Sequence, residues 1–351
     1  MSQVPKRILI IKPSALGDIV LALPALSALH ESFPEAEISW LVHSDFAPFL
    51  EGHPYLKQLI LFHRKKIAHA WYRPSAFNHA RQLYRELKNN DFDCVFDFQG
   101  LLRTALLAKA TRCKQRYGMA EAREGAPWLY THRIASDPDS FHLIDLYLKI
   151  TRHAGAKECP VKFVFSDTDQ DAHSVLSLLG QREINPQSYA ILIPGSAHES
   201  KCWPAERFAL LADKLHSDYG LSVAAVGSQS ETEAIERINA TAKIPVINLA
   251  GQTTLKTLVP LLRTARLVVT NDTGPGHIAA GLGVPLVMLF SWSNPARIYP
   301  YARPECIAAV DPFDRGKTIK SRHPKYHVRN ISFETVHEKV CQQLQQKRAL
   351  G

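Results

Sequence analysis

The chain has 351 residues, 46% of them hydrophobic and 21% charged, with 42 Lys and Arg against 33 Asp and Glu, for a net charge of +9. That is enough apolar material for roughly two domains of about 150 residues each, and it excludes a disordered or a collagen-like chain. The longest strongly apolar stretch, Ile19 to Leu29, holds a Pro and a Ser and falls short of the about 20 residues a membrane-spanning helix needs.

The start, MSQVPKRILIIKPS, shows no apolar region followed by a small-residue cleavage site, so no signal peptide is expected. Short β-branched apolar runs then alternate with helical patterns, the signature of parallel sheets with crossover helices. Arg7 to Ile11 (RILII) reads as a strand buried on both faces. Pro13 to Gly17 is a turn, and from Asp18 the residues Ile19, Leu23, Leu26 and Leu29 recur at helical spacing, with a kink expected at Pro24. Strands are predicted at Ile38 to Val42, Gln58 to Phe62 and Asp93 to Phe98, and helices at Ser75 to Lys88 and Leu101 to Ala110. Between Ser166 and Pro186 the pattern relaxes around one amphipathic helix, which places a domain boundary there.

The alternation restarts with strands at Tyr189 to Ile193, Ser222 to Val226, Pro245 to Leu249, Leu267 to Thr270 and Pro285 to Phe290. Helices fall at Pro204 to Asp218, Ser230 to Ala240, Leu255 to Thr264 and Pro275 to Leu282, and a last one starts at Ser332 and runs to Leu344. The expected architecture is α/β: two facing doubly wound domains, residues 1–170 and 171–330, with a terminal segment 331–351. Ligands in such sheets bind outside the carboxyl ends of the strands.

Four strand-to-helix loops carry candidate chemistry. After the first strand, Asp18 stands in the first turn of a helix, where it either complements the helix end or accepts a proton from an attacking hydroxyl. Lys12, at the strand end, either holds a phosphate or pairs with Asp18. After Ile193, the loop Pro194 to Pro204 offers small residues and the point charge of Lys201, either to an anion or to solvent. Asn271-Asp272-Thr273-Gly274-Pro275-Gly276-His277 opens a helix whose free N–H groups suit a phosphate, with His277 as a further donor. In Val226 to Glu233, Glu231 first and Glu233 second are candidates for ribose hydroxyls, or plain helix-start acids. No GxGxxG, P-loop, GxSxG or HExxH pattern is present.

The cationic excess is concentrated in Phe62 to Lys88, Leu101 to Arg116 and Pro312 to Asn330. Clustering of that kind suits nucleic acid, an anionic membrane or an acidic glycan, or else solvated helix faces. No nucleic-acid module accompanies it. The six cysteines form no CxxC pair and fit reduced thiols in the cytosol.

At RILIIKPSALGDIVLALPAL and NDTGPGHIAAGLGVP the chain resembles the lipopolysaccharide heptosyltransferases of glycosyltransferase family 9, and DFQGLLRTALL and Ala122-Arg123-Glu124 look more like heptosyltransferase I than II. The resemblance implies a GT-B fold whose terminal helix returns to the first domain. It implies inverting transfer of heptose from ADP-heptose to the Kdo and lipid A inner core, on the cytosolic face of the inner membrane. It implies Asp18 as catalytic base and Lys201, Glu231, Asp272, Thr273, Gly274 and His277 at the donor. Arg64, Lys65, Lys66, Arg73, Lys12 and Arg123 fall on the acceptor side. No required metal is implied, Mg2+ is not signalled, no nucleic acid is expected as partner, and a monomer or weak dimer is expected. The chain departs from the family where Gly-Pro-Thr-Asp-Pro is usual and Ser291-Trp292-Ser293-Asn294-Pro295 stands instead. The rival readings are a transferase of the same family with another nucleotide sugar or acceptor, a sugar-nucleotide 2-epimerase of similar fold, and a non-catalytic binder of nucleotide sugars.

Overall fold

The computed structural model describes residues 4–63, 74–196 and 198–349. The chain divides into two units, Met1–Ser166 and Asp167–Gly351, each built on one six-stranded sheet. The first runs β1 (Arg7–Ile11), α1 (Leu16–Val20), α2 (Leu23–Ser32), β2 (Glu37–His43), α3 (Ala47–Leu50), β3 (Gln58–Phe62), α4 (Pro74–Asn89), β4 (Cys94–Asp97), α5 (Leu102–Ala110), β5 (Arg116–Met119), β6 (His132–Ile134) and α6 (Leu143–His153). The second runs α7 (Asp169–Gly180), β7 (Tyr189–Ile193), α8 (Ala205–Tyr219), β8 (Ser222–Ala225), α9 (Thr232–Thr241), β9 (Ile247–Asn248), α10 (Leu255–Arg263), β10 (Leu267–Asn271), α11 (Gly274–Gly281), β11 (Leu286–Phe290), α12 (Pro295–Ile298), β12 (Ile307–Ala309) and α13 (Phe333–Ala349).

The strand orders are β3-β2-β1-β4-β5-β6 and β12-β11-β10-β7-β8-β9. Both are doubly wound, and every pairing is parallel. The continuous apolar runs of β1, β7, β10 and β11 follow from that: a strand in the middle of such a sheet has helices on both faces and no polar side to serve. Strand order reverses between β1 and β4 in the first unit and between β7 and β10 in the second. Loops leaving neighbouring strands part there and open a crevice, the switch point at which such sheets bind ligands. The same reversal, with right-handed crossovers, puts α4 and α5 on the face of the first sheet opposite α1 and α2. Leu83 and Leu87 of α4 share a core with Ala108 of α5 under that face.

Four features differ from the sequence pattern. The helix expected to kink at Pro24 is two helices, α1 and α2, with Pro24 in the first turn of the second, where its missing N–H breaks no helical bond. The division falls after Ser166 rather than 170. Strands β5, β6 and β12 are short and have no apolar periodicity to announce them. The terminal helix is capped as expected, the Thr335 N–H donating to Ser332 Oγ at 3.1 Å. Its Val336, Val340 and Leu344 then enter the second unit's own core beside Leu215 and Val287. Residues 331–349 therefore belong to the second unit. No helix among the described residues is long and apolar enough to cross a membrane.

Candidate active site

In the first unit Asp18 follows β1 at the switch point, in the first turn of α1, with its side chain 39% exposed. Lys12 lies beneath it, 4% exposed, its ammonium 3.4 Å from Asp18 Oδ2. The ammonium also donates to the Phe98 carbonyl at 3.2 Å. The Tyr147 hydroxyl donates to that same carbonyl at 3.0 Å. Burial works against the Lys12 charge, but the Asp18 carboxylate and the Tyr147 phenol outweigh it and lift its pKa above the ordinary lysine value. Of the two roles open to Lys12, the structure supports the partner of Asp18.

The Phe98 carbonyl is itself held. Asp97 Oδ1 accepts the N–H groups of Gln99 and Gly100 at 2.9 and 3.2 Å, and Oδ2 accepts the Tyr130 hydroxyl at 2.8 Å. Burial raises the Asp97 carboxyl above its usual range in spite of these bonds. Gly100 takes φ +69°, and a Cβ there would meet Met119 Cε at 2.5 Å. Sequence reasoning gave Asp97 no role; the Asp-x-x-Gly spacing of DFQG is the signal that announces such a side-chain-capped turn. Arg123 belongs to the same strand-end loops, its N–H donating to the Gly100 carbonyl at 3.0 Å, with an exposed side chain. Arg64, Lys65, Lys66 and Arg73 lie outside the described residues.

In the second unit the expected donor residues converge at the switch point. Lys201 ends a short 3-10 turn (Glu199–Lys201) after β7, and Asp272 follows β10. Lys201 Nζ donates to Asp272 Oδ2 at 3.1 Å and to Ser293 Oγ at 2.9 Å. His277 Nε2 is 3.5 Å from Asp272 Oδ1. Lys201 is 14% exposed and Asp272 10%. Burial alone would raise the Asp272 carboxyl; the hydrogen bond from His277 and the charge of Lys201 overcome it and hold Asp272 well below the usual carboxylate range. Asp272 and His277 thus engage each other, and Asp272 orients the lysine. His277 Nδ1 is buried with no partner.

Thr273 is the N-cap of α11, but no side chain caps that first turn. The Gly274 and Gly276 amides are left without a side-chain acceptor, an anion-binding arrangement. A Cβ at Gly276 would come within 2.8 Å of Thr270 Cγ2, so glycine lets the helix start against β10. Asn271, which the sequence did not single out, ties the loops together: Nδ2 donates to the Pro194 carbonyl at 2.7 Å and Oδ1 accepts the Trp203 N–H at 3.2 Å. The Trp203 indole donates to the Ile331 carbonyl at 2.9 Å. Arg207 donates to that carbonyl at 2.6 Å and to Arg329 O at 2.8 Å. The divergent loop is a built part of the site: buried Arg315 donates to the Ser291 and Ser293 carbonyls at 2.6 and 2.9 Å, which presents the Ser293 hydroxyl to Lys201.

Beside this cluster lies a cavity of about 480 Å³ lined by Gly195, Gly227, Glu231, Leu258, Thr273 and Pro275, among others. Its size and mixed lining fit a small-molecule site. Glu231 Oε2 accepts the Ser228 N–H at 2.6 Å and the Ser228 hydroxyl at 2.8 Å. A Cβ on Gly195 would collide with Glu231 Oε1, so the glycine makes room for the carboxylate. Glu233 does not line this cavity and pairs with Arg237 at 3.6 Å. Among the described residues no group of three His, Cys, Asp or Glu side chains is arranged to hold a metal ion.

Two doubly wound sheets, each with charged side chains gathered at its switch point, make up the two-domain α/β architecture of the GT-B fold. The profile of glycosyltransferase family 9 (heptosyltransferase) matches residues 80–327, and the chain belongs to that family. The lipopolysaccharide core heptosyltransferase OpsX of Haemophilus influenzae is 28% identical over 313 residues, 88% of this chain and 86% of that protein. Lipopolysaccharide heptosyltransferase 1 of Pseudomonas aeruginosa is 28% identical over 305 residues, covering 85% and 82%. The solved structure of E. coli heptosyltransferase WaaC with ADP-2-deoxy-2-fluoro heptose shares the fold, with a TM-score of 0.71 at 22% identity, covering 96% of this chain and 99% of that one.

Proposed function

We propose that this enzyme transfers a heptose from ADP-heptose, with inversion, to the Kdo-bearing inner core of lipopolysaccharide. The observation that carries the reading is the buried Lys201–Asp272–His277–Ser293 cluster beside the uncapped start of α11, an anion cradle where a doubly wound sheet takes its ligand. The names of the relatives and the ADP-heptose analogue in the E. coli structure support the choice of donor and pathway. In this reading Asp18 takes the proton of an acceptor hydroxyl as that oxygen attacks the anomeric carbon. The bond from that carbon to the diphosphate breaks, and the charge gained by the leaving ADP is met by Lys201 and the first-turn amides of α11. Lys12 and the Phe98 carbonyl hold the base in place. Glu231 takes the ribose hydroxyls. Arg64, Lys65, Lys66, Arg73 and Arg123 supply positive charge for the Kdo carboxylates and lipid A phosphates at the cytosolic membrane face. No resident metal is assigned.

One observation favours a second reading. Ser293, in the loop that departs from the family, touches Lys201 directly, so a different nucleotide sugar is the alternative donor. A transfer assay with ADP-heptose and other nucleotide sugars, on Kdo-bearing lipid A and with and without a chelator, separates the two. We expect transfer from ADP-heptose, insensitive to the chelator. Asp18→Ala keeps donor affinity and loses turnover by about 10²–10⁴. Transfer from another nucleotide sugar alone establishes the second reading. A new sugar nucleotide formed without acceptor makes the protein an epimerase. Near-normal turnover of Asp18→Ala removes that residue from the reaction.

A further inference from the structure

Helices α4 and α5 lie side by side on one face of the first sheet, and their outer surfaces are unlike ordinary solvated helix faces. The exposed side chains of α5 are Leu102, Arg103, Leu106 and Lys109, two apolar and two cationic. On α4, at about 100° per residue, Phe77, Arg81, Tyr84, Arg85 and Lys88 fall within about 100° of arc, away from the buried Leu83 and Leu87. Glu86, the single acid of that helix, falls on the other flank. The turn Ala126–Leu129 packs on α5 through Ala126 and Leu129 against Ala105. It raises Trp128 to 78% exposure, with the Arg133 guanidinium 5.1 Å from the ring centroid. Five of the eleven large apolar or aromatic side chains exposed among the described residues sit on this surface.

We propose that this face seats the enzyme on an anionic lipid bilayer. The aromatic side chains of α4 stand between cations, and the Leu102 and Leu106 pair of α5 is flanked by Arg103 and Lys109. A protein interface instead concentrates apolar groups at its centre and depletes charge there. Cations in this pattern gain from an anionic leaflet. Trp128 and Tyr84 have the apolar body and polar edge that suit the headgroup level. Leu102 and Leu106 enter the outer acyl region, a contact with no counterpart in a nucleic-acid backbone. Glu124, which accepts the Leu102 N–H at 3.3 Å, marks the acidic rim of the face. The inference deepens the proposed function, on which it rests for the purpose of the contact but not for the contact itself.

The test is co-sedimentation of the full chain with vesicles of phosphatidylcholine alone and of phosphatidylcholine mixed with phosphatidylglycerol, at low and high salt. The wild type binds the mixed vesicles and releases them as salt rises. With each cation contributing about fivefold, Arg81→Ala/Arg85→Ala/Arg103→Ala weakens binding about 10²-fold. Leu106→Ser/Trp128→Ser also weakens it, and Arg81→Lys/Arg85→Lys/Arg103→Lys retains it, which separates loss of charge from loss of fold. Transfer to an acceptor without lipid chains stays at the wild-type rate in all three variants. No binding of the wild type to mixed vesicles, or wild-type binding by the triple Ala variant, overturns the inference. So does a triple Ala variant that loses affinity for DNA and keeps affinity for vesicles. A protein that binds vesicles through this face yet transfers no sugar supports the inference and ends the proposed function.

Discussion

Asp272→Asn isolates the carboxylate that organises the Lys201–His277–Ser293 cluster. The substitution keeps size and removes the charge that Lys201 Nζ meets at 3.1 Å and His277 Nε2 at 3.5 Å. Both members of the main pair are nearly out of water. Removing one partner of a buried pair costs about 3–5 kcal/mol. The residual exposure and the Ser293 hydroxyl, 2.9 Å from the ammonium, reduce that to about 2–3 kcal/mol. In urea unfolding followed by the fluorescence of Trp203 and Trp292, the midpoint of the second unit falls by about 1 M. Lys201→Met/Asp272→Asn recovers more than half of the loss, since no unpaired charge then stays buried. The sign with pH is fixed by the depressed folded pKa of Asp272. Its stabilisation is present above about pH 4, the unfolded value, and is lost as pH falls through the folded value. The gap between wild type and variant therefore closes on acidification below about pH 4. An unchanged urea midpoint, or additive losses in the double variant, would refute the view that this charge pair organises the site.

Gly195→Ala forces the Glu231 carboxylate from its seat. The carboxylate end can swing away, so stability changes by less than about 1 kcal/mol; calorimetric titration with ADP should nonetheless show affinity reduced about tenfold, and unchanged affinity would clear Glu231 of any ligand role. Lys12→Met leaves Asp18 without its ammonium. Donor affinity should hold while turnover falls by as much as about 10²-fold. Because the folded pKa of Lys12 is raised, its contribution to stability is complete below about pH 10.4 and disappears above that, so the melting curves of wild type and Lys12→Met should converge in strong alkali.

How much of this was legible depends on how local the cause is. The central strands announce themselves because burial on both faces demands an unbroken apolar run, as in RILII and YAILI. The tetrapeptide RYGM of β5 and the tripeptide HRI of β6 carry no such run, since pairing to a neighbour already in place is what makes them strands. Lys201, Asp272 and His277 were visible as chemistry in two separate loops. That the carboxylate serves the lysine follows from β7 lying beside β10, a fact of topology. Lys12 shows the same limit: its burial beneath Asp18 depends on the Phe98 carbonyl, from a distant strand end. Asn271, Ser293 and Arg315 stand in segments the sequence marks, yet their individual roles were not legible, because their partners are groups that only the folded loops bring near.

The Ile331 carbonyl, shared by the Trp203 indole and the Arg207 guanidinium, ties the lysine-bearing loop to the root of the terminal helix. The helix beyond it is anchored by Val336, Val340 and Leu344. The terminal helix therefore works as a guy-line for the loop that carries Lys201. Shortening it, or fusing a bulky partner that tugs on it, slackens that loop without touching Lys201, Asp272 or His277.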